Sequence, residues 1–250
     1  MIYLKQFENH NAYTAYTADT ENFVKPNVSL CVSENEVYMT PLVPTPPTPT
    51  YDYVEIGGLK WATMNVGATA VTDGGLYFQW GDTVGYTADQ VGEGEGKKYF
   101  GIDDCKYMYD DGSGYGVVTK YNDEDGKRVL DLEDDAAIAN MGGNWRMPTI
   151  EEYDALLSAT TSALTTDYEG SGVSGLVLTS KADSNVKLFF PAVGYANDGS
   201  IYEIGYGGGV WSKTVSWDVS ASLLNFTNNW VSAVGSNRYY GHSVRGVMDI

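Results

Sequence analysis

Hydrophobic and polar positions alternate with a period of two over short runs along most of this chain, and a helical period surfaces only twice. Val28-Ser29-Leu30-Cys31-Val32 and Glu36-Val37-Tyr38-Met39 alternate around the polar Ser33-Glu34-Asn35, predicting two short strands joined by a turn. Tyr53 to Ala62 reads as a hairpin leading into a Gly- and aromatic-rich region that runs through Trp80 and Gly81. Lys187 to Gly194 and Leu223 to Phe226 read as strands, separated by Gly-rich turns at Asn197-Asp198-Gly199 and Gly207-Gly208-Gly209.

The first helical signal has Asp131, Glu133, Asp134 and Asp135 crowding the first turn of a segment with Ala136, Ala137, Ile138 and Met141, before a Gly142-Gly143 stop. Acidic residues at the start and glycine at the end suit the helix dipole and the left-handed cap, so a short helix is predicted. The second begins at Thr149, where Thr149-Ile150-Glu151-Glu152 forms a capping box after Pro148, and Tyr153, Leu156 and Leu157 make one apolar face. No repeat of a solenoid period is present.

Pro41 to Thr50 is dense in proline, which fixes φ, removes donors and favours an extended strut of about 3.1 Å per residue. This divides the chain into a small β-rich module over 1–40, a Pro-rich linker over 41–50 and a main domain over 51–250. About forty residues make a poor independent core, so the small module is expected to oligomerise or to dock on a larger body.

Composition sharpens the β reading. The 250 residues include 29 Gly, 20 Tyr and 6 Trp with only 19% charged, a balance that favours strands and structured loops over a helical bundle. The formal charge of -18, from 15 basic against 33 acidic residues, repels a phosphate backbone, and nucleic-acid binding is not expected. No apolar run approaches the roughly 20 residues of a membrane span, and Met1 to Glu8 lacks the basic-then-apolar order of a signal peptide, so neither membrane insertion nor signal-directed export is expected. Cys31 and Cys105 lie far apart and are expected to be unbridged.

The stretch from Trp211 to Val247 has a fixed skeleton with loose filler. The skeleton is Trp211-Ser212, Thr214, Ala221, Leu224, Phe226, Val231, Arg238, Gly241 and Ser243-Val244-Arg245. The filler comprises Val215, Ser216, Trp217 and Asp218; Ser222, Leu223 and Asn225; Asn229 and Trp230; Ser232 and Ala233; Gly235, Ser236 and Asn237; and Tyr239, Tyr240 and His242. Tyr, Ser, Asn and Gly with occasional Trp is the composition of antibody-like paratopes, which pairs aromatic contact area with small adaptable hydrogen-bonders. Composition alone fits an ordinary strand-and-turn region better, since such residues are expected in turns.

Catalysis and metal binding find little support. Only His10 and His242 are available as imidazole bases, there is no nucleophile elbow, and His242 in a Tyr/Ser-rich loop reads as a contact residue. Asp103-Asp104, Asp110-Asp111 and Asn122 to Gly126 invite a calcium reading, but EF-hand spacing would put Tyr121 at the first ligand position and Leu132 at the last. A solvated acidic loop is expected there, with no metal and no cofactor. Asn27-Val28-Ser29 and Asn225-Phe226-Thr227 match glycosylation sequons only weakly.

Six ordered blocks carry a family resemblance: GLKWATMNVGA at Gly58, YFQWGD at Tyr77, LDLEDDAA at Leu130, WRMPTIEEYDALL at Trp145, FFPAVGY at Phe189 and GHSVRGV at Gly241. Together they resemble the C-type-lectin-like domain related to the formylglycine-generating enzyme fold, in the form found in gut bacteria and their phages. The resemblance covers about Tyr53 to Ile250. It implies an α+β fold, a C-type-lectin-like domain of antiparallel strands, two short helices and long structured loops, preceded by the small β-rich module. The WS-x-T…A-x-x-L-x-F…R-x-x-G-x-SVR ending is similar to the variable region of proteins diversified by retroelements, in which error-prone copying at adenines turns AAC codons into Tyr, Ser, Asp, Gly, Ala, Val, His or Leu. Trp217, Trp230 and Lys213 depart from that alphabet.

The resemblance further implies that Leu224 and Phe226 face the core while Leu223 and Asn225 point outward, and that Trp211 and Arg245 are scaffold, with Arg245 pairing a carboxylate. Enzymes of the related fold need reactive cysteines near the C-terminal core, where this chain has none, so a non-enzymatic binding protein is expected. Phe23 to Met39 is similar to N-terminal modules of gut-phage structural proteins. The implied function is a phage tail-tip or fibre adhesin that binds a host cell-surface receptor, protein or glycan, through the filler positions. It would bind other virion proteins through its first module, sit on the virion surface and form a homo-oligomer, as a trimer. The alternatives are a constant virion decoration or assembly protein and an exported bacterial adhesin of the same fold.

Overall fold

Both segments with a helical period fold as helices in the computed structural model. In α1 (Ala136–Met141) the Asp135 carboxylate accepts from the Ala137 and Ile138 amides and Gly142 ends the helix. In α2 (Ile150–Ala159) the Thr149 hydroxyl accepts from the Glu152 amide while the Glu152 carboxylate accepts from the Thr149 amide, closing the capping box. Tyr153 and Leu156 form the buried stripe of α2.

The structure describes residues 51–250 in full and, before them, only the backbone of β1 (Ile2–Gln6), β2 (Tyr13–Thr17), β3 (Val28–Val32) and β4 (Val37–Pro41). The chain divides into two compact units, Met1–Pro49 and Thr50–Ile250. In the first, β1 pairs with β2 and β3 with β4, both antiparallel; β3 and β4 are the two strands read from alternation. The proline strut beyond Pro41, the Asn27 sequon and any bridge from Cys31 lie outside the described residues; the Cys105 thiol is buried.

The second unit opens with the expected hairpin, β5 (Tyr53–Ile56) and β6 (Leu59–Ala62), whose outer partner is the final strand β18 (Val247–Asp249), so the two ends of this unit share one sheet. A long loop region follows, carrying the small ribbon β7 (Met108–Tyr109) and β8 (Val117–Val118). After the helices, β9 (Thr160–Thr165), β10 (Gly175–Ser180) and β11 (Lys187–Pro191) form an antiparallel sheet, and β12 (Tyr195–Asn197) and β13 (Ser200–Tyr202) a ribbon. Its turn at Asp198-Gly199 has φ of 46° and 70°, the left-handed pair that a tight hairpin requires.

The principal sheet has the order β16-β15-β14-β17, from β14 (Gly207–Trp217), β15 (Ser220–Thr227), β16 (Val231–Asn237) and β17 (Ser243–Val244). Gly207-Gly208-Gly209 is therefore strand and not the predicted turn. Its glycines permit close packing: a Cβ on Gly207 would lie 2.5 Å from the Phe226 carbonyl oxygen, and one on Gly209 2.3 Å from His242 Nδ1.

Alternation sends successive side chains of β14 and β15 to opposite faces, and both faces are covered. Val210, Leu224 and Phe226 join Trp61, Tyr153 and Phe190 in one cluster, while Trp211, Ala221 and Leu223 join Phe78, Trp80 and Trp145 in the other. Leu223 does point away from Leu224, but into this second cluster, where it is fully buried. The described residues are mostly β-sheet with two helices, compatible with an α+β class, and the strands pair antiparallel except β14 with β17, which are parallel and make the principal sheet mixed.

Candidate ligand-binding surface

The 211–247 stretch is anchored by its skeleton. Trp211 donates from Nε1 to the Phe78 carbonyl at 2.8 Å, Trp80 donates to the Ser212 carbonyl at 2.8 Å, and Ser212 Oγ donates to the Ser222 carbonyl at 2.8 Å. Phe78 and His242 exchange backbone hydrogen bonds, and Trp80 N–H donates to the Arg238 carbonyl, so the Tyr77–Trp80 segment runs beside 238–242.

Two buried arginines tie the frame together. Arg245 donates to Asn65 Oδ1 at 2.9 Å and to the carbonyls of Ala62 and Phe189 at 2.8 and 2.9 Å, and its guanidinium lies over the Phe190 ring. Among the described residues no carboxylate pairs with Arg245 as expected; peptide carbonyls and an amide take its place. Arg238 donates to the carbonyls of Lys120, Tyr121, Trp217 and Ser220 and stacks on Trp80, clamping the 217–220 turn to the loop that follows β8. Burial pulls the two guanidinium groups down, Arg238 to about 10 and Arg245 to about 9 from 12.5, and both stay protonated at neutral pH.

Around this frame most filler positions reach solvent. Trp217 is 77% exposed and Trp230 43%, Asp218, Asn229 and Gly235 are exposed, and Ser216, Asn225, Ser232, Ala233, Ser236, Asn237, Tyr239 and Tyr240 are half-buried. Four expected surface positions are corrected. Leu223 is sealed beside Trp211, Val215 is packed in the same cluster, and Ser222 is covered where its carbonyl accepts from Ser212. His242, 3% exposed, lies edge-on to Trp211 with ring centroids 4.6 Å apart and fills the space above Gly209.

Two groups of accessible positions stand out, and Asn225, Asn229, Trp230, Ser232 and Ala233 belong to neither. Tyr239 and Tyr240 meet edge to face at 4.9 Å, and Tyr240 stacks on Tyr195, which stacks on Tyr202, forming a tyrosine ladder rooted at His242. Asn237 Nδ2 donates to the Tyr239 hydroxyl at 3.1 Å. The other group surrounds the β14–β15 turn, where Asp218 and Val219 line a groove of about 700 Å³ with Tyr109, Val118 and Glu124. Tyr195 and Tyr202 were not among the expected contacts; their symmetric placement about an Asn-Asp-Gly turn is the sequence signal that puts them opposite each other.

Ser236 Oγ lies 3.0 Å from His242 Nε2, the contact of a nucleophile with a base. Burial drives the His242 pKa down to about 3, and Nδ1 has no hydrogen-bond partner among the described residues, so no third group orients the ring. Asp131, Glu133 and Asp134 bring carboxylate oxygens within metal-ligand reach of one another. Lysines already occupy that space: Lys106 and Lys120 reach Asp134 at 2.6 and 2.7 Å, and Lys120 also reaches Asp131 at 2.9 Å. Tyr107 and Tyr121 donate to the same Asp134, and these partners hold its carboxyl below the usual range despite burial.

No protein-family model, curated protein or solved structure matches this chain.

Proposed function

We propose that residues 51–250 form a C-type-lectin-like domain whose carboxyl-terminal surface, diversified by a retroelement, binds a host cell-surface receptor on behalf of a phage tail tip or fibre. The observation that carries this reading is how burial divides the 211–247 stretch. Ten of the twelve skeleton residues, Trp211, Ser212, Ala221, Leu224, Phe226, Arg238, Gly241, Ser243, Val244 and Arg245, are buried and Thr214 and Val231 are half-buried, whereas thirteen of the seventeen filler positions reach solvent. A surface arranged this way tolerates exchange of its outer side chains, because the hydrogen bonds that fix the backbone come from residues that do not vary. The accessible tyrosines and tryptophans supply the rigid aromatic anchors that commonly dominate binding interfaces.

In this reading the unit before Pro49 attaches the protein to other virion components, and several copies act together to convert weak single contacts into useful avidity. The test is binding of the labelled full chain to a panel of intact gut-bacterial cells, beside the triple variant Trp217→Ser, Tyr239→Ser, Tyr240→Ser. The native chain is expected to bind a subset of strains, and the variant to lose at least ~10-fold in affinity with an unchanged fold by circular dichroism. Equal binding by the variant would place recognition elsewhere. Sequencing the flanking DNA tests diversification separately: a near-copy of the 211–247 coding segment differing only at adenines, beside a reverse-transcriptase gene, is expected.

A further inference from the structure

β16 is the terminal strand of the principal sheet, and among the described residues no strand pairs with its outer side. Two hydrogen bonds fix the phase of its ladder with β15. Thr227 N–H donates to the Trp230 carbonyl at 2.9 Å at one end, and Arg238 N–H donates to the Val219 carbonyl at 3.1 Å at the other. Bonded and non-bonded pairs alternate in an antiparallel ladder, and the register runs unbroken from Phe226↔Val231 to Ser220↔Asn237. Ser232, Val234 and Ser236 therefore bond inward to β15, while Val231, Ala233 and Gly235 aim their N–H and C=O groups outward. The one described contact on that row is a long 3.4 Å approach of the Ser232 hydroxyl to the Ala233 carbonyl.

Open edges are usually guarded by charge, proline or a bulge. Val231-Ser232-Ala233-Val234-Gly235-Ser236-Asn237 has none of these, and its small side chains let another backbone approach. Exposed Trp230 stands at one end of the edge, and exposed Trp217, whose strand partner Ser220 pairs with Asn237, stands at the other.

We propose that β16 binds its ligand by strand addition, and that the ligand is an extended, basic polypeptide segment of the receptor. The inference rests on reading the 211–247 stretch as a binding surface, and it names the class of partner. Outward backbone groups supply affinity that survives any exchange of filler side chains, while Ser232, Val234 and Ser236 on one face and Ala233 and Gly235 on the other read the added strand's alternating side chains. Charge selects the partner. Beyond the Trp217 end the edge gives onto the groove that holds Glu124 and Asp218, and a net charge of -18 opposes pairing with a second copy of this chain.

The test screens the full chain against a display library of random linear peptides and, in parallel, against an array of immobilised glycans. Enriched peptides are expected to be basic and rich in strand-forming residues. On binding them, the amides of Val231, Ala233 and Gly235 become protected from hydrogen exchange, while those of Ser232 and Val234, already bonded, change little. Ala233→Pro deletes one outward donor without touching the β15 ladder and is expected to weaken peptide binding at least ~10-fold, against less than ~2-fold for Ala233→Ser. The exchange measurement on the native chain stands even if the proline variant misfolds. An empty peptide selection, glycan binding alone, unchanged amide protection, or a dimer of the chain that Ala233→Pro dissolves would each overturn the proposal. If Ala233→Pro binds cells like the native chain while the triple aromatic variant does not, only strand addition falls; if the triple variant also binds, the receptor-binding reading falls with it.

Discussion

Arg245 carries a fully buried charge with no carboxylate to meet it among the described residues, and its three acceptors account for why it stays. Asn65 Oδ1 and the carbonyls of Ala62 and Phe189 come from three separate segments, and one planar fork reaches all three. Removing the fork leaves those buried acceptors without donors, each costing about 1–3 kcal/mol. Arg245→Met is thus expected to lose at least ~3 kcal/mol in chemical denaturation, and Arg245→Lys to recover only part, because an ammonium cannot span the same set. His242 makes a prediction of the opposite kind. Burial lowers its pKa from 6.5 to about 3, so between those values the unfolded chain takes up a proton that the folded chain refuses. Its contribution is intact above its unfolded pKa and is lost as pH falls, at about 1.4 kcal/mol per pH unit while the difference lasts. Denaturation midpoints measured from neutral pH down to about pH 5 are expected to slope in the native chain and to flatten in His242→Asn, since the lowered aspartates lose stability only further down.

At the scale of elements, β14 explains both what the sequence displays and what it hides. Glycine at 207–209 carries turn chemistry in a linear reading, yet here it makes room for Phe226 and His242 against a strand. Gly209→Ala is expected to cost about 2 kcal/mol through the clash with the His242 ring, and His242→Ala in the same chain to relieve much of it, a coupling that a double-mutant thermal denaturation cycle measures directly. The two helices and the Tyr53–Ala62 hairpin were legible because caps, turn residues and apolar period are local signals. Whether Leu223 faces water was not. Alternation fixes that it opposes Leu224, but the layer of Phe78, Trp80 and Trp145 that covers it comes from segments far off in sequence. The same holds for Asp134: with Asp131 and Glu133 it was expected in the first turn of the helix, but α1 begins only at Ala136, and Asp134 lies in the turn before it, met by lysines and tyrosines from the preceding loop. Of the candidate surface, the sequence reading matches the burial of most frame residues, though Thr214 and Val231 are only half-buried; the burial of Val215, Ser222 and His242 depended on contacts that spacing does not encode.

For the whole molecule, the contrast between the two units bears on assembly. Thr50–Ile250 contains two large clusters and a sheet buried on both faces, sufficient apolar burial for it to fold alone. Among its described residues Met1–Pro49 has four strands in two separate pairs, and a unit of that size rarely stabilises itself without metal, disulfide or self-association. Under the function proposed above, self-association would also serve binding, because a diversified surface gains from several copies engaging at once. The full chain is therefore expected to sediment as a trimer, and residues 50–250 alone as a monomer with an unchanged melting temperature. Cell binding should then fall far more on truncation than any single-site affinity explains, since linked sites exceed one site by ~10²-fold or more. A monomeric full chain, or a truncated chain that binds cells as strongly as the native one, would remove avidity from the account and leave each surface to hold its receptor unaided.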